Sequence, residues 1–315
     1  MQTQSKQPNA LLSVPFIFHE NAINFYKSIN EVQGSAKIKE VYGSLPKYTA
    51  RESSRLPAIT INKLGLFVDK LSTINIGFNY ALNSPAITLK DLDNDIKGLL
   101  INLNKIGIKT ITVSSPLAME FIKQKFSDFN VVTSTIMGID SIPRIEQAKW
   151  LGAKRIILDL RTNRNFGLLD KLNEVKDAEF EILVNEFCGD CLMRNCHYIL
   201  QGLADNYKSS DQHFDNFPYN LCSGFFMSKT EDILKGYFVL PEWMDEYQRR
   251  GIRWFKIAGR TINDLNWHKK VITAYSTGHF SGNLLDLGQV KTTTKSEQNT
   301  KKIFIDTKKL KLCKK

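Results

Sequence analysis

Apolar runs of strand length alternate with amphipathic segments from about residue 14 to residue 277. The strand candidates are VPFIF (14–18), KIKEVYG (37–43), NIGFNY (75–80), KTITV (109–113), NVVTS (130–134), RIILDL (155–160), EFEILV (179–184) and RWFKIAG (253–259). Between most of them lie segments such as LDNDIKGLLINLNKIG, LAMEFIKQKF and SIPRIEQAKWLGA, with apolar residues at helical spacing. Strand alternating with helix predicts a parallel sheet, and eight such units predict closure into a (β/α)8 TIM-type barrel. GSLPKYTARESSRLP, after the second strand, reads as a loop. The rhythm breaks once, where a cysteine-bearing insertion (185–252) separates strands seven and eight. The expected organisation is an N-terminal extension (1–13), a barrel (14–288) and a basic tail (289–315).

Alternation along a strand separates side chains facing the helices from those facing the barrel interior. Ile156, Leu158 and Leu160 form an outward row, which sends Asp159 and Arg161 inward. Phe180, Ile182 and Val184 face the helices and leave Glu181, Leu183 and Asn185 inside. Phe255 and Ile257 point out, so Lys256, Ala258 and Arg260 line the interior or the mouth, and Asn79 lies opposite Ile76, Phe78 and Tyr80. Asn79, Asp159, Arg161, Asn185, Lys256 and Arg260 are therefore expected to converge at one end of the barrel. Buried charges must be paired or used. The set reads either as an anion-binding pocket or as an ion-pair network that fills the barrel.

With 315 residues, 42% of them hydrophobic and 24% charged, the composition is globular and excludes a collagenous or wholly disordered chain. No apolar run approaches the roughly 18 residues of a membrane span, and the start carries no secretory pattern. A cytoplasmic location is the expectation, and there clustered cysteines serve as metal ligands more often than as disulfides. The net charge of +11 suggests a nucleic-acid partner at first sight, but nine lysines against Glu297 and Asp306 place most of it in residues 291–315. The basicity belongs to a tail, read as a solvated terminus or as an RNA- or membrane-surface contact.

Cys188, Cys191, Cys196 and Cys222 form C-x2-C-x4-C-x25-C just beyond the seventh strand. Four thiolates suit tetrahedral zinc or an iron–sulfur cluster, and spacing alone leaves the two level. His197 follows Cys196 and reads as a ligand, a proton carrier or a hydrogen-bonded neighbour, while Cys313 stands alone in the tail. No zincin motif, G-x-S-x-G elbow, P-loop or dinucleotide fingerprint is present in the sequence.

VNEFCGDCLMRNCHY followed by NLC, then GIRWFKIAGRT and AYSTGHFSGNLLDL, resembles peptidase family U32, the collagenase-like group. IKEVYGSLP, IGFNYALN and LDLRTNRNF are similar to further landmarks of its shorter branch, so the resemblance spans about residues 14 to 288. It implies a barrel carrying a cysteine-ligated [4Fe–4S] cluster, which favours iron–sulfur over zinc. Despite the family name, it also implies oxygen-independent hydroxylation. Members of this kind act on tRNA or ribosomal RNA bases, with prephenate implicated as oxygen source for part of the group, or as paired short chains on the ring of ubiquinone precursors.

Carried across, Cys188, Cys191 and Cys222 match the family's cysteine region together with Asn185, Arg194 and His197, and Lys256, Gly259 and Arg260 match its K-I-x-G-R signature. Leu192 replaces a frequent proline, the first cysteine pair is one residue closer than usual, and Ala258 stands where much of the wider family is acidic. The functional expectation is an iron–sulfur hydroxylase using Asp159, Arg161, His197, Lys256 and Arg260 on a small aromatic or anionic substrate, a nucleobase or a peptide. The alternatives are a non-catalytic cluster-bearing subunit paired with a sibling chain, and a metal-independent peptidase.

Overall fold

Eight short strands close into one parallel barrel in strictly sequential order. The computed structural model describes residues 10–33, 36–48, 59–189, 234–260, 262–288 and 306. The strands are β1 (Leu11–Pro15), β2 (Lys37–Gly43), β3 (Gly77–Leu82), β4 (Thr110–Val113), β5 (Asn130–Thr133), β6 (Ala153–Ile157), β7 (Glu179–Leu183) and β8 (Ile252–Lys256). Closure is made by β8 on β1, with Leu11 beside Trp254 and Ser13 beside Lys256.

The first strand starts three residues before the apolar run VPFIF and ends inside it. Phe16 and Phe18 belong to an aromatic cluster instead, with edge-on contacts to Phe67 and, for Phe16, to Phe78. Their hydrophobicity reflects packing above the sheet rather than membership of it.

Helices α1 (Glu20–Glu31) and α2 (Ile61–Ser72) follow the first two strands. After β3 the chain runs through α3 (Leu89–Asp91), a π turn (Leu92–Ile96) and α4 (Lys97–Lys105). Then come α5 (Pro116–Lys125), α6 (Ile142–Trp150), the short α7 (Phe166–Leu169), α8 (Met244–Gln248) and α9 (Leu265–Thr277). Their starts are chemically encoded. Thr88 and Asp91 form a reciprocal capping box, Ser115 accepts from the Ala118 amide with Pro116 at the first helical position, and Asp264 accepts from two amides of α9.

The main core is the shell between sheet and helices. Val41, Tyr80, Ile111, Ile156, Ile182 and Phe255 project outward from the strands against Leu64, Leu100, Ile122, Ile145 and Val271. The inward faces are different in kind. Ser13, Glu40, Asn79, Thr112, Arg155, Glu181 and Lys256 are all buried there, so the barrel has an apolar wall around a polar axis. Among the described residues no helix is long and apolar enough to cross a membrane.

Candidate functional site at the barrel mouth

Two tiers of polar side chains occupy the barrel. The lower tier is a charge-balanced network of two acids and two bases. Arg155 Nη2 lies 2.7 Å from both carboxylate oxygens of Glu40, which also accepts from Ser13 Oγ at 2.8 Å and Asn79 Nδ2 at 3.0 Å. Thr112 Oγ1 donates to Asn79 Oδ1 at 2.8 Å, which fixes the orientation of that amide. Arg155 Nε is 2.8 Å from Glu181 Oε2, and Lys256 Nζ is 3.7 Å from Glu181 Oε1. Beneath and above, Arg155 stacks on the Trp254 ring and Lys256 on the Tyr42 ring, each 3.8 Å from the ring centroid.

The two acids are not equivalent. Burial alone would raise the Glu40 carboxyl, but the Arg155 guanidinium and its hydrogen bonds outweigh it and hold Glu40 below the usual carboxylate range. For Glu181 burial wins over the attraction of Arg155 and Lys256, and its pKa is raised. Burial likewise lowers Lys256, against the pull of Glu181 and Glu40, and the nearby Arg155 and Arg260 cations lower it further. The supply of donors explains the asymmetry, since Glu40 accepts from Ser13, Asn79 and Arg155, whereas Glu181 has only its ion-pair contacts, with Arg155 at 2.8 Å and Lys256 at 3.7 Å, among the described residues.

The upper tier forms the C-terminal mouth, where barrel active sites assemble. Asp159 lies two residues past β6 and caps the following 3-10 turn (Leu160–Arg164), accepting from the Arg161 amide at 2.8 Å and pairing with Arg161 Nε at 3.1 Å. Arg161 also reaches Asp140 at 3.4 Å, and its side chain is 38% exposed, so it sits on the rim rather than in the barrel. Cys188 lies five residues past the end of β7, half-buried against a small apolar cluster of Leu160, Leu183, Tyr237 and Ala258. Its carbonyl accepts from the Tyr237 amide at 3.0 Å.

Two buried asparagines act as backbone clamps. Asn185 accepts from the Ala258 amide at 2.7 Å and donates to the Leu287 carbonyl at 3.0 Å, tying the β7 and β8 exits to the C-terminal turn. Asn163 donates to the carbonyls of Leu183 and Tyr237 at 2.8 and 2.7 Å. Gly259 adopts φ +134°, and a Cβ there would meet the Trp267 ring at 2.6 Å, so the K-I-A-G-R turn requires glycine.

The six residues expected at one end of the cavity thus divide by depth. Lys256 and Asn79 lie in the lower tier, Asp159, Arg161 and Asn185 lie at the mouth, and Arg260 follows β8 by four residues, half-buried and close enough for its charge to act on Lys256. Arg155 and Glu40 carry the strongest interior ion pair and were not singled out by the sequence. Parity with Asp159 places Arg155 inward. A β-bulge shifts the register between Leu12–Ile38 and Ser13–Glu40, so simple alternation does not find Glu40. Cys191, Cys196, Cys222 and His197 lie outside the described residues, as does the tail apart from Asp306. Among the described residues no three His, Cys, Asp or Glu side chains gather as a metal site.

A closed parallel barrel with a charged axis and its polar rim at the strands' C-terminal ends defines a TIM-type barrel protein. The chain belongs to Peptidase family U32, whose pattern matches residues 30–303. It is 28% identical over 275 residues to "Uncharacterized protease MJ1657" of Methanocaldococcus jannaschii, covering 85% of this chain and 80% of that protein. The solved structure of the U32 peptidase Mk0906 superposes with a TM-score of 0.56 at 12% identity, over 82% of this chain and 96% of that one, and shares the fold.

Proposed function

We propose that the protein is an iron–sulfur barrel enzyme of the oxygen-independent hydroxylation kind, acting on a small aromatic or anionic substrate at the mouth. The observation that carries this reading is the position of Cys188. The first member of the C-x2-C-x4-C-x25-C set stands beside the exits of β6, β7 and β8, next to Leu160, Leu183 and Ala258 and above the charged axis. Cys188 is the first of four closely spaced cysteines in the sequence, and four thiolates are the donor set of a [4Fe–4S] cluster.

Cys188, Cys191, Cys196 and Cys222 would hold the cluster, which would supply one-electron chemistry when bound. The chain's own groups account for the rest. Arg260 and the Asp159–Arg161–Asp140 group set the charge at the rim, and the apolar patch of Leu160, Leu183, Tyr237 and Ala258 excludes water beside Cys188. A peptidase needs a nucleophile, a base and an orienting group in hydrogen-bond reach. The three described histidines are engaged elsewhere: His19 caps α1, His268 contacts the Ile262 carbonyl, and His279 pairs with Glu242.

Anaerobic purification with iron and sulfide analysis tests the reading. About four iron and four sulfide per chain are expected, lost on Cys→Ser change at any of the four positions but retained in Cys313→Ser. Stoichiometric zinc without iron overturns it. Cleavage of casein or gelatin that depends on these cysteines yet persists in iron-free protein would restore a peptidase.

A further inference from the structure

Lys256 is held in an unusual way. Its Nζ is sealed from solvent, has no hydrogen-bond acceptor among the described residues, and lies 3.7 Å from Glu181, beyond hydrogen-bond length. Arg155 Nε, by contrast, meets Glu181 Oε2 at 2.8 Å, so the slack in the network lies at the lysine. Buried polar atoms are nearly always satisfied, so a sealed ammonium whose nearest carboxylate stays at 3.7 Å marks an arrangement completed by something else. The rest of the network shows the contrast, because the contacts of Glu40 and of Arg155 with Glu181 all lie between 2.7 and 3.0 Å.

The surroundings show where completion comes from. Lys256 is paired with Leu183 on β7 and Ser13 on β1, and the next inward residue towards the mouth is Ala258, a single methyl. Lys256 retains 10% side-chain exposure although its Nζ has none, so the stem faces the mouth while the ammonium is turned down. Arg260, two residues beyond Ala258, is close enough for its charge to act on both Lys256 and Tyr80. A lysine stem is flexible, and rotation about it carries the ammonium between the two levels.

We propose that the floor of the mouth is an oxyanion-binding site formed by Lys256 and Arg260, with Glu181 as the resting counter-ion that retracts Lys256 when the site is empty. An incoming carboxylate or phosphate competes with Glu181 for the ammonium and supplies the hydrogen bonds that it lacks. Arg260 contributes the planar fork that matches such oxygens. Glu181 is then a positioning residue that sets the threshold for anion entry, since ligand affinity is reduced by the fraction of chains whose lysine is retracted. The site deepens the hydroxylase reading by naming the substrate's charged group, and rests on that reading only for the location of the chemistry.

The test is isothermal titration of the anaerobically purified chain with inorganic phosphate and with benzoate, run separately from iron analysis so that the two ideas fail independently. Wild type should bind at least one of them at low millimolar concentration. Lys256→Met and Arg260→Gln should each weaken binding about tenfold or more, whereas Glu181→Gln should tighten it by about threefold to tenfold. Glu181→Asp keeps the buried charge and draws it back by one methylene, so it should tighten binding in the same direction even where Glu181→Gln does not fold. No binding of either anion by wild type overturns the proposal. So does Glu181→Asp binding with wild-type or weaker affinity, because a purely structural ion pair predicts no gain.

Discussion

Arg155 on β6 and Glu40 on β2 meet across the barrel axis, with one guanidinium nitrogen 2.7 Å from both carboxylate oxygens. The contact joins strands four positions apart in the ring, so it acts as a strut through the middle of the barrel rather than along its wall. Both side chains are 6% exposed, and Asn79 and Ser13 complete the acceptor shell of Glu40. Glu40→Gln or Arg155→Met removes one partner and strands the other, and the expected loss is about 3–5 kcal/mol of unfolding free energy. The double variant Glu40→Gln/Arg155→Met should lose less than the sum of the two. Guanidinium chloride denaturation of the four proteins, analysed as a double-mutant cycle, checks this.

Substitution at Gly259 tests the turn that carries Arg260 to the mouth. Its φ of +134° is unfavourable for any L side chain, and an alanine Cβ would lie 2.6 Å from Trp267 and 3.3 Å from the His268 ring. Gly259→Ala should cost about 2–5 kcal/mol from combined backbone strain and overpacking. Gly278→Ala is a useful control, because nothing lies within 4 Å of a Cβ there, although its φ of +67° still imposes backbone strain. The Gly259 variant should show the larger fall in melting temperature.

His268 gives a pH prediction with a definite sign. Burial lowers its pKa below the ordinary 6.5, against the opposing effects of its contact with the Ile262 carbonyl and of Asp264. The native state therefore binds fewer protons than the unfolded chain. The associated stability is present above pH 6.5 and is lost as pH falls from there through the depressed native value. His268→Gln keeps a donor for the Ile262 carbonyl but cannot titrate. The difference in melting temperature between wild type and variant should shift in favour of the variant between about pH 6.5 and 5, and a constant difference over that range would contradict it.

The barrel was readable because strand and helix periods alternate along most of the chain, and because outward rows such as Ile156 with Leu158 are continuous. Inward charges on regular strands were readable for the same reason: Glu181 and Lys256 lie inside, as their parity requires. Glu40 was hidden by the bulge at Leu12–Ser13, which breaks the count from Ile38. Depth was also hidden. Parity says that Lys256 and Arg161 point away from the helices, but not that one is sealed beside Glu181 while the other is on the rim against Asp140. The roles of Asn163 and Asn185 depend on carbonyls up to 102 positions away in the chain, which no local pattern encodes.

Asn163 links the fold to the proposed cluster. Its amide donates to the carbonyls of Leu183 at the end of β7 and of Tyr237 on the returning segment, and the Tyr237 amide donates to the carbonyl of Cys188. One buried side chain thus ties the end of β7 to Tyr237 in the later part of the cysteine-bearing insertion. Asn163→Ala leaves two buried acceptors without that donor, at about 1–3 kcal/mol each. Asn163→Asp should be worse than alanine, because an ionised carboxylate would face two carbonyl oxygens. Both variants should lose iron in anaerobic preparations in the same order as they lose stability. Arg161→Ala, in the same turn but pointing to the rim, should keep its iron. Full iron occupancy in a folded Asn163→Asp chain would show that the clamp does not position Cys188.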